Sequence, residues 1–242
     1  MKKIFKKIPV NFDITTYLRY QPIVKVIDNL TGKSQLKIAE VGSGSLGIGP
    51  YLKKNFIGFD VAFSNSKSSF LKPIVASANK IPKRFTNQFD LVLSVDMMEH
   101  LPPSDRNLAL KNMVSLTKKY LLISFPSGRQ SFLVDRILNW YYQKTHQKKF
   151  NFLTEHLKFS LPKTEEVVVE LTKIAQKQNK KIIKKKIVNN TSGFLHLGLL
   201  LFGFSQNKYL TRLFFLTFFL RNFLAKINFF PYRKLIVLKF TQ

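Results

Sequence analysis

The chain of 242 residues has no cysteine, a single tryptophan, and only 13 acidic residues set against 40 lysines and arginines. Without thiols there is no disulfide staple, no thiolate zinc site and no cysteine nucleophile, and no metal site is expected. A reducing cytoplasm fits this composition. Long apolar runs are missing too. The most apolar stretches, residues 194–204 and 213–220, are about half of the ~20 residues that a helix needs to cross a bilayer, and Lys208, Arg212 and Arg221 flank the second. These runs exclude a membrane-spanning helix. The start, Met1-Lys-Lys-Ile-Phe-Lys-Lys, is basic but lacks an apolar core and a small-residue cleavage site, which argues against secretion.

The shortage of acids leaves a formal charge of +27, unusual for a chain of this size. Such a field attracts anions: nucleic acid, acidic lipid headgroups or phosphorylated substrates. The imbalance is greatest at the carboxyl end, where the 72 residues after Glu170 hold 14 Lys or Arg, no acid, and 11 of the 24 Phe. An AT-rich coding bias with merely solvated charges would produce the same composition. The length suits one α/β domain, covering residues 1–242, with a full core.

Periodicity organises the chain. Tyr17, Ile23, Val24, Ile27 and Leu30 share a helical face over residues 14–30, the covering helix of an amino-terminal segment, residues 1–35. A short apolar run at residues 36–41 then stops at glycines, and a second at 56–59 ends on Asp60. Further strands are expected at residues 73–76, 89–95 and 120–125, with a helix over 104–116 before the last of these. Alternation of this kind implies a parallel, doubly wound, Rossmann-like sheet. Beyond a cofactor-binding core at residues 36–126, substrate-side helices are expected over 127–180. Two last strands, residues 181–188 and 235–240, make a mostly parallel seven-stranded sheet. Between them lies a basic, Phe-rich helical insertion, residues 193–230.

The first strand leads into Gly42-Ser43-Gly44-Ser45-Leu46-Gly47, which satisfies the G-x-G-x-x-G spacing for close backbone approach to a ligand at a strand-to-helix turn. By itself the spacing serves dinucleotides equally well. Glu40, however, stands two residues before Gly42, where it would repel a pyrophosphate and attract a sulfonium that carries an ammonium group. Asp60, at the end of the next strand, suits ribose hydroxyls. Ile38-Ala-Glu-Val-Gly-Ser-Gly-Ser45, Ile57-Gly-Phe-Asp60 and Phe89-Asp-Leu-Val-Leu-Ser-Val-Asp-Met-Met-Glu-His-Leu-Pro102 together resemble class I S-adenosylmethionine-dependent methyltransferases in order and spacing.

The resemblance covers roughly residues 36 to 126 and implies S-adenosyl-L-methionine as cofactor. Its binding residues would be Glu40, Gly42, Ser43, Gly44, Gly47, Asp60, Ser77, Ala78, Asp96 and Glu99. Ser77 stands where the family usually has an acid for the adenine amino group, leaving the Ala78 amide and Asn79 as contacts. His100, which follows the fourth strand, is the first candidate base, and His156, beside Glu155, is the second. Residues 152–162 and Pro231-Tyr-Arg233 resemble methyltransferases found with glycan- and envelope-modifying enzymes, which implies a small-molecule, glycan or lipid-linked acceptor.

Residues 210–224 read as a helix apolar almost all round, to be covered by the protein's own core, an oligomer partner or an anionic membrane surface. Own-core or partner burial is the expectation. Lys177, Lys180, Lys181, Lys184, Lys185 and Lys186 could grip phosphates, with lipid preferred to nucleic acid because the nearby Phe residues sit in apolar runs. The expected location is cytoplasmic, with the inner membrane face as a peripheral site. Two alternatives are a non-catalytic module of the same fold on membrane or RNA, and an RNA methyltransferase. Asp96-Met-Met-Glu99 stands where a base-methylating enzyme would carry an Asn-Pro-Pro-Tyr-like motif.

Overall fold

The computed structural model describes residues 14–31, 35–65 and 68–241, so the basic start and Asp13 lie outside the described residues. Helix α1 (Ile14–Thr31) precedes strand β1 (Ile38–Val41), the short helix α2 (Gly49–Leu52) and strands β2 (Phe56–Asp60) and β3 (Leu71–Val75). Strand β4 (Phe89–Val95), a tight turn at Met98–His100, helix α3 (Pro103–Leu116) and strand β5 (Thr117–Pro126) follow. Helices α4 (Gly128–His146), α5 (Asn151–Phe159) and α6 (Thr164–Lys177) lead to β6 (Ile182–Ser192). Helices α7 (Gly193–Gly203), α8 (Lys208–Leu216) and α9 (Arg221–Leu224) then lie between β6 and the final strand β7 (Pro231–Phe240).

The seven strands form one sheet in the order β3-β2-β1-β4-β5-β7-β6. Strands β1 to β5 pair in parallel, whereas β7 runs antiparallel to both β5 and β6. Central strands carry apolar side chains on both faces, because helices cover both. On one face Met113, Val114, Leu171 and Ile174 pack on Val92, Leu121 and Ile123; on the other Tyr20, Ile23, Ile27 and Leu52 pack on Leu91, Leu93 and Leu122. Pro73 sits on β3, an edge strand, where its missing N–H costs no ladder bond. That strand begins two residues before the apolar run that marks it, since Leu71 already pairs with Phe56.

Strand order reverses at β1: the chain goes outward through β2 and β3, then returns to β4 on the other side. Ligands in open α/β sheets bind at such a switch point, outside the carboxyl ends of the strands. Both the glycine loop after β1 and the Asp96–His100 segment after β4 emerge there.

The insertion differs from a single continuous helix. Thr217 donates its hydroxyl to the Phe214 carbonyl (2.5 Å), and the chain tightens into a 3₁₀ turn over Thr217–Leu220. From residues 210–224 Phe214 enters a core, with Ile14, Leu18 and Leu199, while Phe218 and Leu224 pack at its margin. Phe215, Leu216, Phe219, Leu220 and Phe223 are exposed. No helix among the described residues is long and apolar enough to cross a membrane.

Candidate functional site

Each glycine of the loop answers a different steric demand. Gly42 (φ +76°) donates to the Phe59 carbonyl (2.8 Å), and a Cβ there would lie 2.4 Å from Met97 Cγ. Gly47 (φ +52°) is pressed between Phe56 and Glu40, its Cβ position 2.4 Å from the Phe56 ring and 2.7 Å from Glu40 Oε2. Gly44 (φ +55°) has nothing within 4 Å of its Cβ position, so it forms an open floor. Over it lies a cleft of about 370 Å³, lined by Thr16, Arg19 and Tyr20 of α1 and by residues 43–47 of the loop. That volume falls within the ~300–1,000 Å³ of typical ligand pockets.

Two carboxylates frame the loop. Asp60 Oδ2 accepts from the Gly44 N–H (2.7 Å), which fixes the floor against the end of β2. Glu40 is fully buried: Oε1 accepts from the Tyr20 hydroxyl (2.8 Å) and Oε2 from the Ile48 N–H (2.7 Å). Burial raises its pKa from the ordinary 4.5 to about 8, against the opposing effect of those two hydrogen bonds. Its oxygens thus tie α1 to the start of α2 behind the loop. Ser43 is buried, its hydroxyl donating to the Gly44 carbonyl (3.0 Å).

Beyond β3, the Ala76 N–H donates to the Asp60 carbonyl (2.9 Å), which brings Ser77 and Ala78 beside Asp60 although the cleft lining stops short of them. The Ser77 hydroxyl accepts from the Asn79 N–H (3.3 Å), and the Ala78 carbonyl accepts from Asn112 Nδ2 (2.7 Å). Asn79 Oδ1 is buried without a hydrogen-bond partner among the described residues, an acceptor left over at this end.

Asp96 adopts φ +51°, and its carboxylate is engaged on both oxygens. Arg233 Nε donates to Oδ1 (2.7 Å) and Oδ2 (2.9 Å), Arg233 Nη2 lies 2.7 Å from Oδ2, and Arg19 Nε lies 3.0 Å from Oδ2. Burial would raise the pKa of this carboxyl, but Arg19 and Arg233 outweigh it and hold it well below the usual carboxylate range. The triad fastens α1 and β7 to the end of β4. Two guanidiniums share one buried carboxylate, so no negative charge is left unpaired there.

The two histidines expected as bases, 56 residues apart, meet over Glu99, with ring centroids 4.8 Å apart. His100 Nδ1 lies 2.7 Å from Glu155 Oε2, and His156 Nδ1 lies 2.9 Å from Asp135 Oδ2. A carboxylate accepts, so each Nδ1 carries a proton, which leaves Nε2 as the acceptor or ligand nitrogen of the neutral ring. Burial, then the neighbouring His156, lowers the His100 pKa. Glu99 is fully buried, and burial followed by the negative charge of Asp96 pushes its pKa well above the ordinary value.

Sequence reading missed the supports of this cluster. Asp135 lies inside α4, and its second oxygen accepts from the Tyr232 hydroxyl (2.5 Å). Tyr232 in turn stacks on His196 at 4.1 Å. Arg106 donates to the carbonyls of Met98, Leu101, Phe159 and Ser160, clamping the Met98–His100 turn to the end of α5. The only sequence signal for any of these was the Tyr232-Arg233 pair ahead of the last strand.

The chain superposes on an S-adenosylmethionine-dependent methyltransferase from Thermotoga maritima with TM-score 0.54 and 15% identity, covering 94% of this chain and 93% of that one. The plantazolicin methyltransferase BpumL, in complex with SAH, gives TM-score 0.56 at 14% identity, covering 93% of this chain and 84% of that one. Magnesium protoporphyrin IX methyltransferase from Synechocystis PCC 6803, with bound SAH, gives 0.51 at 12%, covering 99% and 92%. No family model matches the chain, and no curated protein matches it. The chain therefore has the fold of class I S-adenosylmethionine-dependent methyltransferases.

Proposed function

We propose that this protein transfers a methyl group from S-adenosylmethionine to a small-molecule acceptor. The observation that carries the reading is Gly44: an open glycine floor at the topological switch point, its N–H held by the acid that ends the next strand. The fold it sits in is shared with solved methyltransferases that bind SAH. In this reading Gly42, Ser43, Gly44 and Gly47 cradle the cofactor. Asp60 exchanges its Gly44 contact for ribose hydroxyls, and Ser77, Ala78 and Asn79 border the adenine. Glu40 and Asp96 hold the walls in place through Tyr20, Ile48, Arg19 and Arg233, and Glu99 stands with the two histidines.

Methyl transfer from a sulfonium is an in-line displacement, so the protein must align the acceptor, exclude water and handle the acceptor's proton. His100 and His156 serve the acceptor side, each presenting Nε2 with Nδ1 anchored to a carboxylate. Helix α5, which carries His156, is clamped by Arg106 to the turn that carries His100.

The acceptor class we favour is a glycan or lipid-linked envelope precursor presented at the inner face of an anionic membrane. Exposed Phe219, Leu220 and Phe223, with Arg212 and Arg221 alongside, support that finer reading. Calorimetric titration of the wild type and Asp60→Ala with S-adenosylmethionine and with NAD tests the cofactor. The former should bind, about tenfold more weakly in the variant, and NAD should not. Binding of neither ligand would leave a non-catalytic module, and binding of NAD alone would reassign the cleft to a dinucleotide.

A further inference from the structure

The cluster above the switch point holds more than proton acceptors. Glu99 is fully buried, yet neither carboxylate oxygen has a hydrogen-bond partner among the described residues. His156 is buried as well, and its Nε2 is likewise without one. That nitrogen and Glu99 Oε1 face each other across 4.0 Å, too far for a hydrogen bond. One ligand atom each from Glu99, His100 and His156 lie within 4.8 Å of one another. Orphaned polar atoms in a protein interior are rare, and three converging on one point call for a common partner.

Ligand chemistry identifies that partner. Both imidazoles have Nδ1 fixed by a carboxylate, Glu155 for His100 and Asp135 for His156, and Tyr232 braces Asp135 in turn. A carboxylate on the far nitrogen fixes the ring and raises its basicity, the arrangement that supports metal-ligating histidines. We propose that Glu99, His100 and His156 bind one divalent transition-metal ion.

Two imidazoles and one carboxylate suit manganese, iron, cobalt, nickel or zinc better than calcium or magnesium, which take oxygen ligands. Ligands about 2.1 Å from a shared ion sit ~3 to ~3.4 Å apart when adjacent, so the three side chains close by roughly 1 Å on binding. Three protein ligands leave coordination positions open. His100, with 24% of its side chain exposed, is the ligand on the solvent side, where water or an acceptor oxygen completes the shell. With the ion bound, both Nε2 atoms are ligands, and the ion instead acidifies an oxygen that it holds.

The test is metal binding by the tag-free full chain, independent of cofactor binding. After chelator treatment and dialysis, titration with Mn²⁺, Co²⁺ and Zn²⁺ should give one ion per chain, with Mg²⁺ at least tenfold weaker. The Co²⁺ form should show the visible absorption bands of a nitrogen-containing site. Glu99→Gln and His156→Gln should each abolish stoichiometric binding with far-ultraviolet circular dichroism unchanged. Asp135→Asn, which removes only the brace, should weaken affinity about 10- to 100-fold. No binding by the wild type overturns the proposal, as does unaltered stoichiometry in the folded Glu99→Gln and His156→Gln variants.

Discussion

Glu40→Gln isolates one buried group whose protonation is coupled to folding. With its pKa raised from 4.5 to about 8 by burial, Glu40 binds a proton in the folded protein over a pH range in which the unfolded chain has released it. A raised folded-state pKa contributes stability that is fully present below about pH 4.5 and is lost as pH rises through about 8. Across those ~3.5 pH units, at about 1.4 kcal/mol per unit, the loss amounts to roughly 5 kcal/mol. Glutamine resembles the protonated acid: its carbonyl accepts from the Ile48 N–H, and its amide donates to the Tyr20 oxygen, which accepts as readily as it donates. The variant should therefore lose only the pH dependence. Urea unfolding of both proteins between about pH 5 and pH 8 should show the stability of the variant, relative to wild type, rising by about 1.4 kcal/mol per pH unit. A difference that stays constant over that window would refute the assignment, since Glu40 would then titrate alike in both states.

Two contrasting glycine substitutions separate fold from ligand binding. Gly42→Ala should cost about 2–4 kcal/mol in urea unfolding, because its Cβ meets Met97 Cγ at 2.4 Å in a left-handed conformation. Gly44→Ala should cost only about 1 kcal/mol, having nothing to strike, yet weaken S-adenosylmethionine binding measured by calorimetry. Co-sedimentation with anionic and neutral vesicles checks the insertion: binding should favour the anionic ones and fall at least tenfold in a Phe219→Asp, Phe223→Asp double variant. Equal binding to both vesicle types would remove the membrane from the reading.

Much of the frame was legible in the residues themselves. Apolar runs that stop at Gly42 and Asp60, and the Asp96–His100 phrase after β4, mark local strand-to-turn transitions that depend on neighbours a few residues away. They placed β1 to β4 and the glycine loop within about two residues of where they stand, whereas β5 and β7 begin earlier, at Thr117 and Pro231, and β6 runs on to Ser192. The continuous helix expected at residues 210–224 is instead the end of α8, a 3₁₀ turn over Thr217–Leu220 and α9, a change of helical type to which hydrophobic periodicity is blind.

Roles assigned to single side chains depended on partners far along the chain. Glu40 and Asp96 read as carboxylates open to a cofactor, whereas Tyr20, Ile48, Arg19 and Arg233 occupy their oxygens, Arg233 from 137 residues away. His100 and His156 read as two rival bases, and folding set them side by side over Glu99 with a separate carboxylate behind each. Sequence by itself determined the succession of strands along the chain and the residue types at the glycine loop, because periodicity and glycine sterics act over a few residues. Only the tertiary structure decided which carboxylates are satisfied and which are left without a partner, because hydrogen bonding and desolvation are properties of the space that distant segments close around a group.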